Sequence, residues 1–335
     1  MAWKILVTAR AFSEVGQDAI QLLRDADCEV VIPPKFGPIM AEALLPLLKG
    51  ADAVLASADQ YSADVLRSPE VSHLKIISRW GVGFDSVDVH AASQQGIVVT
   101  YTPGMLNDTV ADYTFALLFS IARRVHDGDA SLRRGEWKPP WGDDIFGKTL
   151  GIVGCGRIGQ VVAHRASGFN FRLLGYDVAP STEAKKLGIE FIPLEELLAL
   201  SDFVTLHSAL TPQNRGLIGE AQLRKMKKSA YLINTARGGL VDEPALVRAL
   251  QEGWIAGAAL DTFVTEPLPT DHPFRTTPNL LLTPHQAPCG RESAEQVSLT
   301  AAQAIVDLMN GHRPKFVIDS AVFDTPSLRA KLRKR

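Results

Sequence analysis

Short apolar runs at Lys4–Val7, Glu29–Ile32, Ala53–Ala56, Leu74–Ser78 and Ile97–Thr100 alternate with segments of helical apolar spacing such as Val15–Arg24 and Met40–Leu48. Unbroken apolar runs of this length are the pattern of strands buried on both faces, and helices between them make an α/β domain with a parallel sheet. Thr109 and Asp112 then stand in a Thr-x-x-Asp capping arrangement that predicts a helix running to about Arg124. Its Tyr113, Phe115, Leu117, Leu118, Phe119 and Ile121 point in nearly every direction, so the helix is expected to be buried all round. Residues 126–146 carry Trp137, Pro139, Pro140, Trp141 and Phe146 among many charges, the composition of an excursion, and self-association is favoured over coverage of the chain's own surface. From Thr149 a second alternation begins, with strands at Leu150–Val153, Arg172–Tyr176, Phe203–Leu206, Tyr231–Asn234, Ala256–Leu260 and Leu280–Thr283. Six such strands make a complete doubly wound sheet. A helix from about Arg291 to Met309 and a strand-like Phe316–Ile318 follow, and the basic tail with Arg329, Lys331, Arg333, Lys334 and Arg335 reads as a solvated terminus.

The 335 residues suit two domains. With 46% hydrophobic and 21% charged residues, disorder and collagen-like repeats are excluded. Lys+Arg 35 against Asp+Glu 37 gives a net charge of −2, so no overall field draws nucleic acid or an anionic membrane, and a small-molecule partner is favoured. Cys28, Cys155 and Cys289 are far apart and unpaired in sequence, which suggests neither disulfides nor a metal site and fits a reducing compartment. The opening run Met1–Val7 is too brief for a signal peptide, and the apolar stretch around Phe115–Ala122 is too short to span a bilayer, so a cytoplasmic location is expected.

The strand ending at Val153 runs directly into Gly154-Cys155-Gly156-Arg157-Ile158-Gly159 and a helix, which is G-x-G-x-x-G in its confirming context. Gly154 allows the tight turn, Gly156 lets the backbone approach a pyrophosphate, and Gly159 lets the helix pack closely; the Arg157 and Ile158 amides supply donors at the positive helix end. The next strand ends in Asp177, 18 residues past Gly159, where a carboxylate accepts from the adenosine ribose and repels a 2′-phosphate. NAD is therefore preferred over NADP.

Three further loops each follow a strand of this sheet, where ligands of such sheets bind. The first, Asn234–Glu243, places Arg237 before two glycines, suiting its guanidinium to a carboxylate or a carbonyl oxygen. The second carries Asp261 and Glu266, and the third carries His285 after Pro284. Arg237, Glu266 and His285 together supply an anion clamp, a proton donor and a carboxylate that makes the donor more basic, as reduction of an α-keto acid needs. Singly, each reads as an ordinary surface residue; their common placement at the cofactor edge argues for catalysis.

With these motifs in this order, the chain resembles the NAD-dependent D-2-hydroxyacid dehydrogenases, most closely the phosphoglycerate dehydrogenase branch. The resemblance covers nearly the whole chain: Ser78–Asp88 with its Gly81-Val82-Gly83 loop, the Asn-x-Thr at Asn107, the glycine-rich loop, Leu206-His207-Ser208, Ala236-Arg237-Gly238-Gly239, Asp261 with Glu266-Pro267, and Pro284-His285. It implies two Rossmann-like domains, a flavodoxin-like discontinuous substrate domain at residues 1–102 and 290–335 and an inserted NAD-binding domain at 103–289. It also implies that Val82 and Gly83 offer amides to the substrate carboxylate and that Asp261 and Thr235 lie near the nicotinamide carboxamide. Ser208 would sit by its ribose, and Val82, Thr109 and Ala236 would complete the cofactor site. The expected activity is hydride transfer between NAD and a D-2-hydroxy acid or 2-oxo acid, most like 3-phosphoglycerate, by a homodimer joined through the cofactor domain and the 107–146 segment.

The departures bear on substrate. Pro288 stands where the family usually has glycine after His-x-Ala, and Ala209 where it usually has proline. No cation follows Ala56, where phosphoglycerate dehydrogenases usually place an arginine for the phosphate; Arg133, Arg134 and Lys138 are the basic alternatives. A hydroxypyruvate or glyoxylate reductase is therefore the alternative activity. The chain ends without the family's additional regulatory domain, so feedback by serine is not expected. Formate dehydrogenases of this architecture pair the histidine with glutamine, against Glu266, and L-lactate and L-malate dehydrogenases carry the glycine motif near the start of the chain rather than at Gly154. An NAD-sensing corepressor of the same fold keeps the same dyad in some cases and is the rival of another class, which turnover without a protein partner would eliminate.

Overall fold

The computed structural model describes residues 2–333. Its chain divides into two compact units, Met1–Leu106 with Cys289–Arg335, and Asn107–Pro288. In the first unit β1 (Lys4–Val7), β2 (Glu29–Val31), β3 (Ala53–Ala56), β4 (Ile76–Arg79) and β5 (Val98–Thr100) form a parallel sheet in the order β2-β1-β3-β4-β5, the flavodoxin order. Every side chain of β3 and β4 is buried because helices cover both faces, which is why these strands read as continuous apolar runs. The helix Arg291–Met309, as the periodicity predicts, closes one face through Ala301, Ala302, Ile305 and Leu308.

The second unit holds β6 (Thr149–Val153), β7 (Arg172–Tyr176), β8 (Glu190–Phe191), β9 (Phe203–Leu206), β10 (Tyr231–Asn234), β11 (Gly257–Leu260) and β12 (Leu280–Leu282). They pair in parallel in the order β12-β11-β10-β9-β6-β7-β8, a Rossmann-type sheet whose strand order reverses between β6 and β9. Val153, Leu174, Val204, Leu232 and Leu260 pack on one face, and Ile152, Leu173, Phe203, Ile233 and Ala259 on the other. The sheet has seven strands rather than the six read from sequence, because the edge strand β8 is two residues long with Glu190 exposed, too short to show a period.

Other expectations are corrected. The helix begins at Asn107 and ends at Ala122, so Thr109 lies within its first turn instead of capping it. It is not buried all round: Asp108, Asp112 and Ala116 form an exposed stripe at i, i+4 and i+8, and Arg165 bonds both carboxylates at 2.9 and 2.6 Å. The excursion contains a helix, Val125–Arg133, entered through Arg124 at φ 53°. Beyond it the chain is irregular, with Trp137 91%, Trp141 95% and Phe146 73% exposed, and it is fixed between the last two at Asp143, whose amide donates to Ala122 O at 2.8 Å and whose carboxylate accepts from Tyr231 Oη at 2.6 Å. Phe316–Ile318 makes a single antiparallel bridge, Thr100 with Val317, and not a strand. The tail is docked in part, with Lys331 and the Arg333 side chain exposed as expected. Arg329 donates its guanidinium to Leu74 O at 3.1 Å and its amide to Gly96 O at 3.1 Å, and the Arg333 amide donates to Gly311 O at 2.9 Å; Lys334 and Arg335 lie outside the described residues. No helix among the described residues is long and apolar enough to cross a membrane.

Candidate active site

Apart from Thr109, on the helix Asn107–Ala122, the predicted cofactor and catalytic residues of the second unit follow the carboxyl ends of β6, β7, β9, β10, β11 and β12. After β6, Gly154 adopts φ +92°, and a Cβ there would stand 2.5 Å from the Ser208 amide nitrogen. The loops after β6 and β9 are thus in contact where the strand order reverses. Gly156, which precedes the helix Arg157–Ala166, differs: a Cβ there meets nothing within 4 Å. Gly159 packs so closely that a Cβ would lie 2.2 Å from Gly154 O. The three glycines therefore do the turn, the open approach and the tight packing in the order the motif requires, with the first-turn amides of Arg157 and Ile158 beside the opening. Asp177, after β7, accepts from the Cys155 amide at 2.7 Å and the Ala179 amide at 2.8 Å, which fixes the acid against the glycine loop. The open space at Gly156 and the nearby carboxylate fit a dinucleotide. Cys155 is no nucleophile here, because burial pushes its thiol up to about 12. After β9, His207 donates its amide to Val153 O at 2.7 Å, and burial drives its ring down to about 3, so it stays neutral.

After β10, the fully buried Asn234 holds the next loop from both sides. Its Oδ1 accepts from the Ala236 amide at 3.0 Å, and its Nδ2 donates to Arg237 O at 2.8 Å. Thr235 is buried with its hydroxyl 3.0 Å from that of Thr114, on the helix that also bears Thr109. Gly238 lies against the backbone of Phe263, where a Cβ would stand 1.9 Å from the Phe263 carbonyl carbon. That contact brings the Arg237 loop directly onto the loop carrying Glu266.

Asp261 directly follows β11 with no solvent exposure. Its Oδ1 accepts from Thr283 Oγ1 at 2.6 Å and the Gln286 amide at 2.9 Å, and its Oδ2 from the Ala287 amide at 2.8 Å. Its main-chain carbonyl accepts from the His285 amide at 2.9 Å. These bonds accompany His285 at φ +51°, a left-handed conformation uncommon for residues other than glycine. Burial pushes the Asp261 carboxyl up despite those donors and the nearby His285. Gln286 extends its side chain to donate to Tyr113 Oη, tying the same loop to the long helix.

His285 Nδ1 lies 2.7 Å from Glu266 Oε2, and Glu266 Oε1 accepts from the Phe263 amide at 2.9 Å. Burial alone would raise this carboxyl, but the hydrogen bond and charge of His285, the Phe263 amide and the Arg237 guanidinium outweigh it, so Glu266 is held below the ordinary carboxylate value. Arg237, Glu266 and His285 are therefore brought together, as their strand-end positions predict. With Nδ1 engaged by Glu266, Nε2 is the ring atom left to exchange a proton with a ligand. The sequence signalled these three but not Asn234, Asp261's grip on the loop or the Gly238 contact, which depend on strand register; a polar residue at a buried strand end was the one available hint.

Val82 and Gly83 lie in the first unit, in the loop after β4. Gly81 takes φ +115° there, its amide donating to Thr102 Oγ1 at 3.0 Å, and Arg79 donates to Gly83 O at 2.9 Å and to Ala56 O at 3.0 Å. The segment after β3 contains a carboxyl, Asp59, fully buried and accepting from the Ile39 and Ser57 amides at 3.0 and 3.1 Å. Burial pushes this carboxyl up. Arg133 pairs with Asp129 at 2.7 Å and Arg134 with Glu136 at 3.0 Å. Among the described residues no group of three or more His, Cys, Asp or Glu is placed to hold a metal ion.

Residues 115–287 match the family described as D-isomer specific 2-hydroxyacid dehydrogenase, NAD binding domain. A glyoxylate reductase of Korarchaeum cryptofilum is 43% identical over 293 residues, 85% of this chain and 88% of that protein. A D-3-phosphoglycerate dehydrogenase of Methanocaldococcus jannaschii is 40% identical over 321 residues, 94% of this chain and 59% of that protein. Among solved structures, the apo-structure of D-lactate dehydrogenase from Escherichia coli is similar with a TM-score of 0.82 at 28% identity, covering 94% of this chain and 99% of that one.

The open space at Gly156 gives a direct test of the dinucleotide fit. Gly156→Val should fold with an almost unchanged melting temperature yet weaken NADH binding by about tenfold or more, equivalent to about 1.4 kcal/mol, in a fluorescence titration. Retained affinity would contradict the assignment of that space to the pyrophosphate.

Proposed function

Because the chain belongs to the D-isomer specific 2-hydroxyacid dehydrogenases, NAD-dependent oxidoreductases acting on a CH–OH group, we propose that it reduces a small, unphosphorylated 2-oxo acid of the glyoxylate or hydroxypyruvate type to the corresponding 2-hydroxy acid, of D configuration where the product is chiral. The observation that carries the chemistry is the 2.7 Å pair between His285 and Glu266 beside Arg237, on strand-end loops of an NAD-binding sheet. NADH, when bound, supplies the hydride. Arg237 draws electron density toward the carbonyl oxygen, and His285 delivers from Nε2 the proton that the oxygen takes up as the carbonyl becomes a hydroxyl. Glu266 stabilises the charged ring through Nδ1 and fixes its orientation. The amides of Val82 and Gly83 are assigned to the substrate carboxylate, on the family resemblance.

The choice of an unphosphorylated acid is supported by the segment after β3, which holds no cation over Ser57–Tyr61 and whose one charged group, Asp59, is fully buried, and by Arg79, which donates to the Ala56 and Gly83 carbonyls. Arg133 and Arg134 already have carboxylate partners. The phosphoglycerate reading rests on the 40% identical relative of that name and on the readiness of exposed pairs such as these to open toward a stronger anion. We further assign the exposed aromatic segment 126–146 to a second copy of this chain, forming a homodimer, a reading supported by the exposure of Trp137, Trp141 and Phe146.

NADH oxidation should proceed with glyoxylate or hydroxypyruvate at a kcat/KM well above that with 3-phosphohydroxypyruvate, and the reverse order would restore the phosphorylated substrate. Arg237→Ala should lower kcat/KM by about 10²–10³-fold, the cost of removing a charge-stabilising donor. Sedimentation of the intact chain should give twice the 36.4 kDa monomer mass, and replacing Trp137 and Trp141 by alanine should return it to monomer.

A further inference from the structure

Against the Glu266 loop, at Val264, stands a second carboxylate and histidine. Glu243 opens the helix Glu243–Gln251, six residues beyond Arg237 on the same loop. Its Oε1 accepts from the Val264 amide at 2.9 Å, and its Oε2 lies 3.4 Å from His272 Nε2. His272 Nδ1 in turn accepts from the Phe274 amide at 3.2 Å, and its ring packs on that of Phe274 at 4.7 Å, with Phe274 itself in the core. The Glu243 and His272 side chains are only 12% and 19% exposed, so this is no solvated surface pair.

The consecutive amides of Phe263 and Val264 are therefore taken by two different carboxylates, Glu266 from within the loop and Glu243 from the Arg237 loop. Together with the backbone contact between Gly238 and Phe263, the Glu243 bond fixes the Glu266 loop against the Arg237 loop at two consecutive residues, Phe263 and Val264. We propose that Glu243 is a positioning residue for the reaction: it sets the register of Glu266 relative to Arg237, and His272 holds it in place from the core. The inference rests on the reading of Glu266 as the partner of the proton-donating His285. It touches neither substrate nor cofactor, so its loss acts through geometry, and a shift of about 1 Å in a reacting group is enough to cost up to 10²-fold in rate.

The test compares Glu243→Ala, Glu243→Gln and His272→Ala in the intact chain, with steady-state kinetics and with amide exchange of the 262–268 peptide, which reports the tie whether or not the enzyme turns over. Glu243→Ala is expected to lower kcat about tenfold with KM for NADH within about twofold, and to speed exchange of that peptide. Glu243→Gln keeps an oxygen for the Val264 amide and should recover most of kcat and of the exchange protection. His272→Ala should give a smaller loss in the same direction, and decides the matter should Glu243→Ala fail to fold. Unchanged kcat and exchange in Glu243→Ala, a glutamine variant as impaired as the alanine one, or an unaffected His272→Ala would each overturn the proposal. An inactive wild-type chain would instead defeat the catalytic reading, while exchange would still report whether Glu243 holds the loop.

Discussion

A carboxylate sealed from water must have its oxygens filled by donors, and Asp261 fills its own with one hydroxyl and two successive amides of a single loop. That requirement shapes the site. The donors come from Thr283, Gln286 and Ala287, on both sides of His285, so the chain between them has to bulge and His285 is driven to φ +51°. Removing the grip would release strain of about 1–3 kcal/mol and with it the alignment of the imidazole.

The two acids of this loop pair illustrate how environment decides a carboxyl's behaviour. Burial dominates at Asp261 and raises it, even with its donors in place. At Glu266 the same burial is outweighed by a histidine, an amide and an arginine, and the group is held low. One acid thus serves as scaffold and the other as a standing negative charge against the imidazole, a separation of roles by surroundings and not by residue type. The folding consequence has a sign: the Glu266 pairing stabilises the folded chain above the ordinary carboxyl value of 4.5 and is lost as pH falls below it, whereas ionising Asp261 works against stability as pH rises.

Much of this was legible in the amino-acid order. Strands buried on both faces announce themselves as apolar runs, so β1, β3, β7, β9 and β10 carry the bounds read from sequence, and the glycine motif identified its own turn because each glycine has a separate steric task. Three kinds of feature were not legible. The edge strand Glu190–Phe191 has too few residues to show a period, and the start of the helix at Asn107 competed with a second capping pattern two residues on. The docking of Arg329 onto the Leu74 carbonyl spans 255 residues, beyond any local signal. The grip of Asp261 and the conformation of His285 depend on the pairing of Leu260 with Leu282, a register that no single segment encodes.

The central claim is that Glu266 and His285 work as one acid–base unit, and the pH dependence of NADH-driven reduction in wild type and Glu266→Gln tests it most directly. The hydrogen bond and charge of His285 help hold Glu266 ionised; glutamine keeps the hydrogen bond and removes the charge. The alkaline fall in kcat/KM should therefore move to lower pH in the variant, with a lower plateau. A variant whose limb and plateau coincide with the wild type would contradict the account.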